Sequence, residues 1–296
     1  MKLKMKLYIL LLICCVFTLG VATGHYKYPP FQVIIKAKNY LISSKKNKSI
    51  DKFTSCSIPK TSEVIINSHA FIGHAYGDPY KSRYNSFIAK NAYNFINKNK
   101  SRLRTIAFTG DVFAFPSLDK WKKLTKEINK NLQIFISPGN HDILRPDSRD
   151  VFQLSEFGKQ NYPFLKYLDA TPVIFDDSIS NDWKVSNETL ELANKEDSEV
   201  VIIARHNIPT SELLGFSNSS AGMSPDLGSV ESLVEKFNKD TSYYWVIGDG
   251  GAFPNQPRLS CLTFMNHTFL INGLGEVSGD TVLLFNAGNF YQYEVL

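Results

Sequence analysis

Residues 63–142 alternate apolar, β-prone runs with helical segments, and this alternation limits the possible folds more than any other feature of the chain. "EVIINSHAFIGHAYG" (63–77), "RTIAFTGD" (104–111) and "LQIFISPGNHD" (132–142) are strand-like. Between them, residues 84–99 place apolar side chains at 87, 88, 92, 95 and 96, a helical period, and "SLDKWKKLTKEINKN" (117–131) reads as a helix with Ser117 as N-cap. A β-α-β-α-β order over about 80 residues argues for a parallel sheet with crossover helices. The order returns more loosely in "EVVIIARHNIP" (199–209), "VESLVEKFNKD" (230–240) and "SYYWVIGDGGA" (242–252). The last stretches, "HTFLINGLGE", "DTVLLFNAGN" and "FYQYEV", lack an intervening helix. They are expected to form an antiparallel second sheet packed on the first.

In an open α/β sheet, ligands bind at the carboxyl ends of the strands. Five strands here end in residues able to hold a metal or move a proton. His74 and Tyr76 follow the first, Asp111 the second, and Asn140, His141 and Asp142 the third. His206 and Asp249 follow the last two. A single Gly-Asp or Pro-Gly-Asn is ordinary turn chemistry. Five such ends in one topological place argue for a site.

These motifs carry a resemblance. "FTGDVF", "SPGNHD" and "ARHNIP", in that order, are similar to the middle motifs of the calcineurin-like metallophosphoesterases, over roughly residues 64–290. The resemblance implies a four-layer αββα sandwich and a two-metal site holding Mn, Zn or Fe. It also implies hydrolysis of a phosphomonoester or phosphodiester. Asp111 would bridge the metals, and Asn140, His206 and Asp249 would complete one site. His74, with Tyr76 as a possible phenol ligand, would serve the other. His141 would protonate the leaving group and Asp142 would hold its imidazole. The outer motifs depart from the family: His74 stands where Asp is usual, Tyr76 where His is usual, Asp249 on the first His of the last motif and Gly251 on the second. Each exchanged residue at 74 and 249 still offers a donor suited to these metals. Gly251 and the lost Asp-x-His pair favour the rival expectation, a non-catalytic surface or scaffold protein that keeps the fold. His69 and His267 read as packed or surface histidines, with a ligand role as the alternative. Arg145 and Arg205 read as surface charges or as phosphate clamps.

The 296 residues, 43% hydrophobic, suffice for one large core, placed at 63–296 after a polar linker at 25–62. Residues 1–24 carry three lysines and an apolar run from 7 to 22, the pattern of an export signal or a retained membrane anchor. Such a chain works outside the cytoplasm, secreted, periplasmic or membrane-anchored. There Cys56 and Cys261 are either a disulfide or two buried thiols. A net charge of +5 spread over scattered clusters gives no nucleic-acid stripe.

Overall fold

The computed structural model describes residues 20, 50–79, 81–82, 84–128, 132–216, 227–252 and 256–295. The leader and most of the linker expected at 1–62 lie outside the described residues. Everything below concerns the unit Ile50–Leu296.

Among the described residues, thirteen strands form two mixed sheets. One has the order β2 (Lys60–Thr61), β13 (Asn289–Glu294), β12 (Thr281–Asn286), β3 (Ser68–Ile72), β4 (Leu103–Phe108), β5 (Gln133–Ile136). The other runs β1 (Thr54–Ser55), β10 (Leu259–Phe264), β11 (His267–Asn272), β9 (Ser242–Ile247), β8 (Val200–Arg205), β7 (Thr171–Phe175), β6 (Phe164–Leu168). Strands β3, β4 and β5 pair in parallel, as do β7, β8, β9 and β11. The first sheet carries β12 antiparallel beside β3, and the second has antiparallel strands at both edges, β6 on β7 and β10 on β11.

Period-two alternation explains the layers. In β8, Ile202 and Ala204 face the other sheet, where they meet Phe71, Ala107, Leu283 and Phe285. Val201 and Ile203 face outward, onto the helix Val230–Val234 and the helix Asn187–Lys195. In β4, Ala107 points between the sheets, whereas Ile106 and Phe108 point to helices α1 (Lys90–Asn99) and α2 (Leu118–Ile128). Strands buried on both faces must be apolar throughout, which is why they read as continuous hydrophobic runs. The helices bury one stripe each: Ala92, Phe95, Ile96 and Asn99 in α1, and Trp121, Leu124 and Ile128 in α2. The result is an αββα sandwich.

The elements depart from the sequence expectation at the start of α1 and in the C-terminal strands. Helix α1 begins at Lys90, not at 84, because the Ala89 N–H is committed to the Ala75 carbonyl at 2.8 Å. The Ser117 hydroxyl does cap α2, accepting the Lys120 N–H at 3.3 Å. The C-terminal strands do not make a separate sheet. β12 and β13 extend the first sheet beside β3, while β11 inserts parallel to β9 in the second. Residues 54–55 and 60–61 supply an edge strand to each sheet, and a Cys56–Cys261 disulfide fastens the first of these to β10.

Candidate metal centre

The carboxyl ends of β3, β4 and β5 meet those of β8 and β9 at one edge of the sandwich. Glycine makes the approach possible. A Cβ on Gly110 would lie 2.4 Å from His206 Nδ1, and one on Gly139 would lie 2.4 Å from Asp111 Oδ1. A Cβ on Gly248 would fall 1.8 Å from the Thr109 carbonyl oxygen, so the β9 loop touches the β4 loop only because this residue is glycine. His74 and Asp111 both adopt left-handed backbone, with φ of 52° and 53°. That conformation is unfavourable for side-chain-bearing residues and collects at functional sites.

His206 sits at the centre. Its Nδ1–H donates to the Thr109 carbonyl at 3.0 Å, which turns the Nε2 lone pair toward three oxygens. Asn140 Oδ1 is 3.1 Å away, Asp111 Oδ1 3.4 Å and Asp249 Oδ1 3.9 Å. His74 repeats the pattern: Nδ1 bonds the Gly77 carbonyl at 2.9 Å, and Nε2 faces Asp111 Oδ2 at 3.7 Å. Asp111 therefore presents one oxygen to each histidine, while its Oδ1 also accepts the His141 backbone N–H at 2.9 Å.

The electrostatics follow from burial and from this arrangement. Burial lowers the His74 imidazole to about 4, although Asp111 opposes the shift. Burial also acts on His206, but Asp111 and Asp249 outweigh it and raise the group. Asp111 is lowered in spite of its burial, by His206, His141 and His74. A buried carboxylate is thus kept ionised beside a neutral imidazole whose lone pair faces it.

Donors sharing one ion with bonds of ~2.0–2.2 Å stand roughly 3–4 Å from each other. The spacings around His206 and between His74 and Asp111 fall in that range, and imidazole, carboxylate and amide oxygen suit Mn, Zn or Fe. Among the described residues, no group of three or more His, Cys, Asp and Glu gathers tightly enough to hold an ion as placed. On the His206 side, Asn140 is the additional donor. The His74 side has Asp111 alone; Tyr76, whose ring centroid is 4.3 Å from that of His74, directs its hydroxyl toward His141 Nε2 at 3.5 Å.

The expected pairing of His141 with Asp142 is corrected. Residues 140–143 form a short helical turn, on which successive side chains diverge by about 100°. Asn140 points to His206, while His141 Nδ1 bonds the Ala114 carbonyl at 3.0 Å. Asp142 turns inward and accepts the backbone N–H groups of Gly139 (2.9 Å), Val112 (3.2 Å) and Phe113 (3.4 Å). Burial, followed by the charge of Asp111, raises its carboxyl to about 7. Asp142 is a brace between two loops, and the Ala114 carbonyl orients His141.

Other candidates lie elsewhere. His69, at the opposite end of β3, faces Asp169 at 3.2 Å, and His267, at the start of β11, accepts the Trp245 indole N–H at 2.9 Å. Arg205 is neither a surface charge nor a clamp: fully buried, it pairs with Asp176 at 3.0 Å and donates to the Asn207 and Trp183 carbonyls. Arg145 is exposed, beside Phe115. The sequence reading missed Asn207, whose amide donates to Asp249 Oδ2 at 3.4 Å and whose Oδ1 accepts from Ser178 at 3.2 Å. Its position directly after His206 was the available signal. Gly251, which the sequence resemblance aligns with a histidine, has φ of 75°, and a Cβ there would lie 2.7 Å from the Arg258 carbonyl oxygen. The loop has no room for a side chain at this point.

No protein-family model matches the chain, and no curated protein matches it. Among solved structures it is similar to a candidate 5'-nucleotidase from Staphylococcus aureus in complex with alpha-ketoglutarate. Identity is 15% and the TM-score 0.41, over 78% of this chain and 55% of that one. The chain thus spans about half the length of that protein, and a likeness this distant carries no argument.

Proposed function

We propose that this chain is an exported, metal-dependent phosphoester hydrolase of the calcineurin-like kind. The observation that carries the reading is the set of acceptors turned on one point: His206 Nε2 against Asn140, Asp111 and Asp249 at 3.1, 3.4 and 3.9 Å. With Nδ1–H spent on Thr109, Nε2 is the nitrogen that faces these oxygens, and a divalent cation among them would take its lone pair in place of the proton that Asp111 and Asp249 favour there. Asp111, Asn140, His206 and Asp249 would hold one ion, and Asp111 with His74 a second. Bound divalent ions supply Lewis acidity toward water and neutralise charge on phosphoryl oxygens.

The chain's own residues do the rest. His141 gives Nδ1–H to the Ala114 carbonyl, so its Nε2 is the nitrogen available to the site. As imidazolium it donates the Nε2 proton to the departing oxygen and ends neutral with its orientation unchanged. Tyr76, 3.5 Å from that nitrogen, limits where the ring can turn. Asp142 fixes the two loops that carry Asp111 and Asn140. Asn207 steadies Asp249 from below. Export is supported by the composition of residues 1–24 and by the Cys56–Cys261 disulfide, which persists in oxidising compartments.

The rival, a non-catalytic protein that keeps the fold, has Gly251 in its favour. Turnover separates the two. On a panel of phosphomonoesters and phosphodiesters with Mn, Zn or Fe, hydrolysis is expected, and His141→Ala should reduce it by about 10²–10⁴-fold with metal content retained. Absence of turnover with every metal supports the scaffold.

A further inference from the structure

We propose that Tyr84, Phe115 and Arg145 form a platform for the flat aromatic part of an anionic phosphoester. This rests on the hydrolase reading for its orientation and goes beyond it by naming a substrate class. The rings of Tyr84 and Phe115 stack with centroids 5.4 Å apart and planes within 18°. The Arg145 guanidinium lies 5.6 Å from the Phe115 centroid.

The platform adjoins the group assigned to protonate the leaving oxygen. Phe115 follows Ala114, whose carbonyl holds His141 Nδ1 at 3.0 Å. Arg145 follows His141 by four residues, at the N-cap of the helix Pro146–Leu154.

The rings are also pre-positioned. Lys120 Nζ donates to the Asn85 and Phe115 carbonyls, each at 2.9 Å, and so ties the residue after Tyr84 to Phe115 itself. A fixed platform orders little on binding, which favours affinity. Tyr84 stays 75% exposed although stacked on Phe115, so a ring face remains open to a second flat group. Leu144, the residue before Arg145, is 44% exposed. An aromatic face selects a planar π-system by stacking, and a neighbouring guanidinium favours an anion. A phosphoester of a nucleoside meets both demands; one of a plain sugar or polyol meets only the second.

The test compares adenosine 5'-monophosphate with ribose 5-phosphate, which share the phosphoester and differ by the base. Binding to the full-length, metal-loaded protein is measured by calorimetry, and kcat/KM alongside. The nucleotide should bind about 5- to 30-fold more tightly, the scale of one base–aromatic stack. Tyr84→Ala should bring the two near parity by weakening the nucleotide alone, and Tyr84→Phe should keep the preference. Equal binding of both ligands, no binding of either, or a preference that survives Tyr84→Ala overturns the platform. A preference without turnover of either ligand leaves the platform standing and removes the hydrolase reading instead.

Discussion

His267 shows how a single buried group ties stability to pH. Its Nδ1 accepts the Trp245 N–H, and burial lowers the imidazole from 6.5 to about 4. The unfolded chain therefore takes up the proton before the folded one does. The stability that the neutral ring allows is complete above about 6.5 and declines as pH falls toward 4, by about 2 kcal/mol at pH 5. His267→Gln keeps an acceptor for the indole and removes the titration. Its stability relative to wild type should improve by about that amount between pH 7 and 5 in urea unfolding; a pH-independent difference would refute this account. The tetrapeptide around His141 shows where sequence stops being legible at this scale. Adjacency in "NHDI" suggested a cooperating His–Asp pair. The helical turn sends the two side chains to different sides, and only backbone geometry shows it. The left-handed backbone of His74 and Asp111 is equally invisible in residue identity.

Among the elements, the strands were legible because burial on both faces leaves them continuously apolar, and their ends were legible because parallel strands place their carboxyl termini together. β6, β7 and β10 were not recognised: β7 contains Pro172, and β6 and β10 are only partly buried. The partition of the last strands between sheets depends on long-range pairing that no local pattern encodes. The β9 loop carries a prediction of its own. Gly251 is held by its positive φ and by the carbonyls of Arg258 and Gly273, so a histidine cannot be accommodated there. Gly251→Ala should cost about 1–3 kcal/mol, and Gly251→His should lower Tm further without adding bound metal. A Gly251→His protein that is stable and binds more metal would show the loop to be free to adapt. The same loop limits what exchange at 74 and 249 can achieve. His74→Asp with Asp249→His exchanges the two donor types while keeping the ligand charge, and it should recover part of the turnover that each single change loses, because both residues flank Asp111 or His206. Strictly additive losses would mean the two residues do not serve one site.

At the scale of the whole molecule, two sheets from distant parts of the chain share one core and one edge, so the site exists only when both are assembled. The Cys56–Cys261 disulfide spans 205 residues and joins the first edge strand to a strand near the C-terminus. Removing it with Cys56→Ser and Cys261→Ser should lower stability by about 2–5 kcal/mol, since the open chain regains the entropy of a long loop. Unchanged denaturation midpoints would show that the sandwich does not depend on it. At the edge where the sheets meet, metal content is the most direct test. Protein purified, loaded with Mn, Zn or Fe and dialysed should retain close to two equivalents per chain. Asp111→Ala should lose most of both, because Asp111 alone faces both histidines. Retention of no metal by the wild-type chain, or equal retention by Asp111→Ala, would contradict the account.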